Sequence, residues 1–174
     1  MIGLRLIAVL AAFSGSTAIA ACAETETTFL ACTIAGGEKT LEVCSNDHFV
    51  SYRFGPTIGL PELELRTPIL NIDYVPWPGV GRNIWEEVTF YNENASYVVH
   101  GRIERTYPEN EADDIILNVA GGVSVFLNSK SAAVLDCDAG SVNFPWDTAI
   151  YDAKTAMGQC YHDVMRVWQD CPAD

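Results

Sequence analysis

The sequence predicts a mainly β fold closed by one helix. We expect an antiparallel sheet or barrel-like β domain, stapled by disulfides and packed against a C-terminal amphipathic helix. Most of the chain consists of short segments that alternate apolar with polar residues and are separated by turn-forming residues. One segment near the end has its apolar residues at helical spacing instead. The chain also contains 6 cysteines, an even number that suits three disulfides in an exported protein.

The start of the chain has the composition of a secretion signal. Arg5 precedes an apolar stretch at residues 6–13, and small residues at 18–20 supply the −3 and −1 positions of a cleavage site. The apolar stretch is too short to cross a bilayer, which takes about 20 residues. The sequence therefore predicts a signal peptide over residues 1–20 and a single exported β-rich domain over residues 21–174.

Two fates are open to Cys22. The stretch Ile19-Ala20-Ala21-Cys22 is similar to a bacterial lipobox, in which the cysteine receives a diacylglyceryl group. Lipidation would leave an odd number of thiols in an oxidising compartment, whereas pairing all six cysteines leaves none. We therefore expect cleavage before Ala21, a disulfide at Cys22, and a periplasmic or secreted chain. Membrane attachment through a lipidated Cys22 is the alternative.

The mature chain is strongly acidic. Removing the leader leaves 9 Lys and Arg residues against 23 Asp and Glu residues, a formal charge of −14. This charge repels nucleic acid and anionic lipid, so neither is expected as a partner. It would steer a basic protein or a metal cation toward the surface. A solvated acidic surface without a particular partner explains the same composition.

The first two strands are predicted to form a hairpin. The segments at 28–34 and 39–43 alternate in polarity and flank a Gly-Gly turn. The turn aligns one face of the hairpin: Ile34 with Lys39, Cys32 with Leu41, and Leu30 with Val43. The same register places Cys44 on the other face, opposite Phe29. A Cys32–Cys44 bridge is therefore disfavoured, although it stays open.

Further strands follow the same pattern. Alternating segments predict strands at residues 50–54 and 63–66 and hairpins that turn at residues 92–94 and 128–130. The Pro- and Gly-rich stretch 75–83 and the acidic stretch 107–114 are predicted loops.

The end of the chain is predicted to be helical. Apolar residues recur at helical spacing over about 147–170, between Pro145 and Pro172. Gly158 costs about 1 kcal/mol relative to Ala and makes a break there an alternative. In a continuous helix, Cys160 and Cys171 would lie about 16 Å apart, whereas a disulfide needs Cα atoms within about 7 Å. We therefore expect no bond between them.

Each of these two cysteines should instead tie the helix to another part of the chain, with Cys137 as a partner for one. The predicted disulfide cysteines are Cys22, Cys32, Cys44, Cys137, Cys160 and Cys171.

No residue pattern predicts a catalytic, metal or cofactor site. The chain has no G-x-S-x-G, H-E-x-x-H or paired C-x-x-C motif. His48, His100 and His162 are isolated in sequence. The acidic stretch 107–114 offers oxygen ligands but lacks the spacing and glycine of an EF-hand loop. Carboxylate pairs such as Glu86-Glu87 would serve glycoside hydrolysis only if the fold brought two within about 5–10 Å.

Aromatic residues are the remaining indication of a site. Trp77 lies in the predicted 75–83 loop, and Trp85 and Tyr91 follow it closely. Exposed aromatic side chains on a rigid β scaffold bind sugars or proteins, so these three are the predicted binding residues. The alternative is that they cap the ends of the β core.

Two stretches, ACTIAGGEKTLEVC…VSYRFG and GGVSVFLNSKSAAVLDCD, resemble segments of small bacterial periplasmic β-domain proteins of the kind that includes lysozyme inhibitors. The resemblance implies a disulfide-stapled β domain that acts by binding. The Ser-Gly-x-x-Tyr motif with which c-type lysozyme inhibitors plug an active site is absent, so no inhibitory residue carries over. The predicted C-terminal helix is a further departure.

These observations predict a non-enzymatic exported binding module that engages a basic envelope or cell-wall-acting protein. The first alternative is a periplasmic hydrolase with a carboxylate or histidine site assembled by the fold. The second is a structural lipoprotein of the envelope. A histidine or carboxylate pair that converges in a cleft would favour the hydrolase. A protruding loop with an exposed Trp77 among acidic residues would favour the binding module.

Overall fold

The computed structural model describes residues 22–110 and 114–172. The predicted signal peptide lies outside the described residues. The described chain forms eleven strands and one helix: β1 (Thr27–Ile34), β2 (Lys39–Ser45), β3 (Phe49–Pro56), β4 (Leu63–Pro68), β5 (Asp73–Val75), β6 (Asn83–Asn92), β7 (Ala95–Thr106), β8 (Ile116–Leu127), β9 (Lys130–Asp136), α1 (Ala149–Ala156), β10 (Gln159–His162) and β11 (Val167–Asp170). Within the described ranges, no helix has the length and apolar character that a membrane span requires.

Two antiparallel sheets make up most of the fold. Strands β1 to β4 form a four-stranded sheet and β5 to β9 a five-stranded sheet, each with its strands in sequence order. The sheets share one apolar core, in which the Tyr52 ring of β3 lies 5.5 Å from Phe90 of β6 and 5.6 Å from Tyr97 of β7. The predicted class, a disulfide-stapled and mainly β fold with one helix, is confirmed.

The β1–β2 hairpin has the predicted register through most of its length. Ile34 pairs with Lys39, Cys32 with Leu41 and Leu30 with Val43. The pairing shifts between Thr28 and Leu30, so Cys44 lies opposite Thr28 rather than Phe29. The prediction for Cys44 is therefore wrong by one residue, because a β-bulge inserts Phe29 into the strand.

The end of the chain differs from the prediction. The helix covers only Ala149–Ala156, and Gly158 follows it with φ 86°, a left-handed conformation that ends a helix readily. Strands β10 and β11 then form a separate hairpin. The prediction of a helix over 147–170 is wrong in its second half, because the chain reverses where the helix was expected to continue.

The disulfides follow from this reversal. Cys160 and Cys171 are bonded, with their Cα atoms 4.9 Å apart, so the expectation that they do not pair is wrong. Cys137 bonds to Cys32 rather than to the C-terminal segment, and it links the end of β9 to β1. Cys22 bonds to Cys44. The predicted use of all six cysteines in disulfides is confirmed, and it indicates an oxidising, non-cytoplasmic compartment.

Candidate functional site

A cleft of about 350 Å³ opens beside β5 and β6, where the 76–82 loop, α1 and the β10–β11 hairpin meet. Its volume lies at the lower end of the range found for small-molecule sites. Two carboxylates line it, Glu86 and Asp163. Most of its remaining wall is aromatic: Tyr74, Trp77, Trp146, Tyr151 and Tyr161. We call this site the aromatic cleft.

Glu86 is the most unusual side chain of the aromatic cleft. The alternation of β6 directs Ile84, Glu86 and Val88 toward the core, and Glu86 is only 5% exposed. Its Oε1 accepts a hydrogen bond from the Tyr74 hydroxyl at 2.7 Å, and the Trp77 backbone N–H also donates to the carboxylate. Neither donor is charged. Of the described residues, none forms an ion pair with Glu86.

Burial raises the pKa of Glu86 to about 7. The nearby negative charge of Asp147 raises it further, while the hydrogen bonds from Tyr74 and Trp77 lower it. The carboxyl group therefore gains or loses its proton near neutral pH. Such a group within a cleft is a common mark of a functional site.

The 76–82 loop presents Trp77 to the aromatic cleft in a fixed orientation. The indole N–H of Trp77 donates to the carbonyl oxygen of Val80 at 3.0 Å. The guanidinium of Arg105 lies 5.7 Å from the Trp77 ring centroid and donates to the carbonyl oxygen of Gly81 at 2.7 Å. Arg105 of β7 therefore holds both the ring and the loop.

Trp146 completes this wall. Its ring meets that of Trp77 edge-on, with centroids 5.5 Å apart and planes at 81°. Its φ of 49° lies in the left-handed region, which bulky residues rarely adopt and which costs about 1–3 kcal/mol. Backbone strain of this kind clusters at active sites and ligand-binding sites, where the surrounding structure holds the residue in position.

Trp168 of β11 packs against two residues that line the aromatic cleft, Tyr151 and Tyr161. Its ring lies 5.2 Å from Tyr151 of α1 and 5.3 Å from Tyr161 of β10, and its N–H donates to the backbone oxygen of Tyr74 at 2.7 Å. The ammonium of Lys154, a fully buried residue, lies 5.1 Å from the Trp168 centroid. Burial lowers the pKa of Lys154 to about 8, although the negative charge of Asp73 raises it. The β10–β11 hairpin, missed in the sequence, thus contributes Tyr161 and Asp163 to the aromatic cleft.

The three predicted binding residues lie in different places. Trp77 lines the aromatic cleft, whereas Trp85 lines an adjoining cavity of about 250 Å³ together with Arg166. The two cavities share Tyr161 and Asp163. Tyr91 is 63% exposed and lines neither of them; its hydroxyl donates to Asp73 at 3.0 Å. The binding role of all three residues stays a prediction.

The carboxylate pair considered in the sequence does not form a site. Glu86 faces the core and Glu87 the opposite side of the strand, where it lies across from His100 of β7. Burial lowers the pKa of His100, while Glu87 and Asp136 raise it. Among the described residues that line the aromatic cleft, none is a histidine.

A second buried carboxylate, Glu42 of β2, is 3% exposed. It forms an ion pair with Arg53 of β3 at 2.7 Å, and its Oε1 has no hydrogen-bond partner. Burial raises the pKa of Glu42, and the charge and hydrogen bond of Arg53 oppose that rise. Glu42 lies near Cys22 and Cys44, but both sulfurs belong to a disulfide and are not free to ligate a metal.

Several residues of the aromatic cleft were missed in the sequence. The burial of Glu86 could be read from the sequence, because in an alternating strand it lies on the same face as Ile84, Val88 and Phe90. Trp146, Tyr151 and Tyr161 gave no such indication, since only the folding of distant segments brings them to the same cleft as Trp77. Comparisons of the chain with protein-family models, with curated proteins and with solved structures found no match. The resemblance to lysozyme inhibitors stays a prediction.

Proposed function

We propose that the mature chain is an exported, non-enzymatic binding module that engages a basic protein through the aromatic cleft. One observation carries the proposal: a buried carboxylate that pairs with no cation of the described residues lies in an aromatic cleft of an acidic chain, whose full sequence has a formal net charge of −13. The charge of the whole chain would attract a basic partner, and the aromatic walls would supply the contact area on which tight interfaces depend. A cell-wall lytic enzyme is the partner class we favour.

The cysteines support a periplasmic or secreted location for this activity. A lipid anchor would require the Cys22 sulfur, and that sulfur bonds to Cys44 at 2.02 Å. We therefore favour a free mature chain over a structural lipoprotein. Intact mass spectrometry of the envelope-derived protein tests this, since acylation would add several hundred daltons.

Binding to a basic lytic enzyme tests the proposed function. We would titrate the disulfide-intact protein with a c-type lysozyme by calorimetry, and with cytochrome c as a basic protein of unrelated activity. Trp77→Ala should weaken lysozyme binding about thirtyfold, because a central aromatic contact is worth about 2 kcal/mol. Tyr107→Ala, at an exposed tyrosine outside the aromatic cleft, is the matched control and should leave binding unchanged.

Two results would count against the proposed function. Absence of binding to lysozyme and to other basic lytic enzymes would contradict it directly. Equal binding of lysozyme and cytochrome c, insensitive to Trp77→Ala, would indicate non-specific attraction between opposite charges.

A hydrolase is the second candidate, and Glu86 is the observation that favours it. A buried carboxyl group with a pKa of about 7 is suited to general acid catalysis, and Asp163 lines the same cleft. Release of soluble fragments from peptidoglycan by the native protein, lost in Glu86→Gln, would support the hydrolase. Inactivity of the native protein toward peptidoglycan and chitooligosaccharides would favour the binding module.

A further inference from the structure

We propose that the aromatic cleft is a cage for one organic ammonium group, which lies against the Glu86 carboxylate and the rings of Trp77, Trp146 and Tyr151. The shared chemistry is that of a lysine side chain or a free quaternary amine. This inference rests on the proposed function only for its choice of site, because it names the chemical group that the aromatic cleft would bind.

The first support is the missing cation beside Glu86. The other deeply buried glutamate among the described residues, Glu42, is neutralised by Arg53 at 2.7 Å. Within the described part of the chain, Glu86 accepts hydrogen bonds from neutral donors, the Tyr74 hydroxyl and the Trp77 backbone N–H. A buried carboxylate without a counter-charge is costly, so a cation from outside would stabilise its ionised form.

The second support comes from comparing which aromatic rings have a cationic side chain near them. The described residues place Lys154 over Trp168 at 5.1 Å and Arg166 over Trp85 at 5.5 Å. In the aromatic cleft, Arg105 lies over the Trp77 ring, but no cation of the described chain lies over Trp146 or Tyr151. Their π faces, which attract ammonium groups, are available to a ligand.

The shape and polarity of the aromatic cleft favour a cation over other ligands. Trp77 and Trp146 meet at 81° and form a corner, whereas a sugar ring stacks on a flat aromatic platform. The charged lining consists of Glu86 and Asp163, with no Lys or Arg among the lining residues. Arg166 lines the adjoining cavity and hydrogen-bonds to Tyr161, which both cavities share. An anion would therefore be repelled from the aromatic cleft and an ammonium group attracted.

Ammonium binding should be coupled to proton release. The titratable groups that act on Glu86 are Tyr74 and Asp147. Tyr151, Tyr161 and Asp163 line the same cleft. A cation favours the ionised form of Glu86, whose pKa near 7 places the coupling at neutral pH. Apparent affinity should therefore rise about tenfold between pH 6 and pH 8.

The test uses a matched pair of small probes. Choline and 3,3-dimethylbutan-1-ol have the same shape and differ in charge, so their binding to the full mature protein isolates the ammonium group. We would measure both by calorimetry and by tryptophan fluorescence, with Nα-acetyl-lysine methylamide as a third probe. Choline or the lysine derivative should bind at least tenfold more tightly than the neutral alcohol. Tighter binding of the lysine derivative assigns a protein side chain as the source, and tighter binding of choline assigns a free amine.

Variants locate the binding. Glu86→Gln and Trp77→Ala should each weaken ammonium binding about tenfold, and Glu86→Gln should also remove its pH dependence. Glu87→Gln, which changes the adjacent carboxylate on the opposite face of β6, should alter neither. A circular dichroism spectrum and an unfolding midpoint for each variant separate lost binding from lost folding.

The outcomes distinguish this inference from the proposed function. Ammonium binding without any basic protein partner would uphold the cage and reject the proposed function. Tight binding of lysozyme, with neither choline nor the lysine derivative binding more tightly than the neutral alcohol, would reject the cage and uphold the proposed function. Binding of neither ammonium probe would overturn the cage.

Discussion

Each of the two sheets buries one glutamate, and the two differ in what neutralises them. Glu42 in the four-stranded sheet and Glu86 in the five-stranded sheet are 3% and 5% exposed. Burial raises the pKa of both. Arg53 pairs with Glu42, whereas Glu86 accepts hydrogen bonds from neutral groups and faces a cleft.

Glu42 is thus part of an internal ion pair, whereas the Glu86 carboxylate is available to a ligand. The Glu42–Arg53 pair is complete in charge, although one oxygen of Glu42 has no hydrogen-bond partner. Glu86 bears the cost of burial without that compensation, and it does so where a ligand can reach it. The free-energy cost of burying this carboxylate at a cleft is consistent with a binding role, because a bound cation would offset it.

The largest effect should come from breaking the Glu42 pair. Arg53→Met should destabilise the protein by about 3 kcal/mol at pH 8, because it leaves a buried carboxylate without its cation. The loss should shrink toward acidic pH, where Glu42 becomes protonated. Chemical denaturation at several pH values measures both effects.

Lys39→Met is the matched control for Arg53→Met. Its pair with Glu62 is of nearly the same length, 2.8 Å against 2.7 Å, but has side-chain exposures of 37% and 53%, so its loss should cost less than about 1 kcal/mol. Similar losses for the two variants would show that burial does not distinguish the two ion pairs.

Neutralising Glu86 should raise the free energy of unfolding, whereas Arg53→Met should lower it. The folded-state pKa of about 7 lies above the ordinary value of 4.5, so stability is highest below pH 4.5 and falls as pH rises through 7. At 1.36 kcal/mol per pH unit, the cost of ionised Glu86 approaches about 3 kcal/mol. Glu86→Gln should therefore stabilise the protein by about 2 kcal/mol at pH 8 and have little effect at pH 4.5.

Glu42→Gln provides the contrast to Glu86→Gln. It removes the charge that Arg53 requires and should not stabilise the protein at pH 8. Stabilisation by both substitutions, or a Glu86→Gln effect independent of pH, would contradict the distinction between the two carboxylates.

The sequence carries more information about the four-stranded sheet than about the aromatic cleft. A two-residue period and a short turn fix the register of β1 and β2, and the pairing of Cys32 with Leu41 follows from them. The bulge at Phe29, whose ring packs edge-on against the distant Phe144, does not follow from the hairpin pattern. Glu86 is an intermediate case, since the sequence indicates the face of the strand on which it lies but not its proximity to Tyr74.

The C-terminal error has a definite physical origin. Apolar residues at helical spacing indicate a helix only if one face of them is buried, and Val164 is 90% exposed. Gly158 permits the chain to leave the helix, and the hairpin then buries a different set of side chains around Trp168. Periodicity alone does not distinguish these outcomes, because the choice between them depends on contacts with distant strands.

A smaller effect is expected when the hydrogen bond to Glu86 is removed. Tyr74→Phe deletes a buried donor 2.7 Å from the carboxylate and should cost about 1.5 kcal/mol at pH 8. It should also raise the pKa of Glu86, because that hydrogen bond lowers it. Carboxyl carbon chemical shifts followed across pH measure this pKa, and an unchanged value would show that Tyr74 does not support the ionised form.

The smallest effect should come from the exposed counterpart of that hydrogen bond. The Tyr91 hydroxyl donates to Asp73 at 3.0 Å, the same pair of groups as Tyr74 and Glu86, but Tyr91 is 63% exposed. Water replaces a lost partner at the surface, so Tyr91→Phe should change the free energy of unfolding by less than about 0.5 kcal/mol. Denaturant unfolding of Tyr74→Phe and Tyr91→Phe under one set of conditions compares the two bonds directly. A cost for Tyr91→Phe as large as that for Tyr74→Phe would mean that burial does not set the strength of these bonds, and the inferred special role of Glu86 would lose its energetic basis.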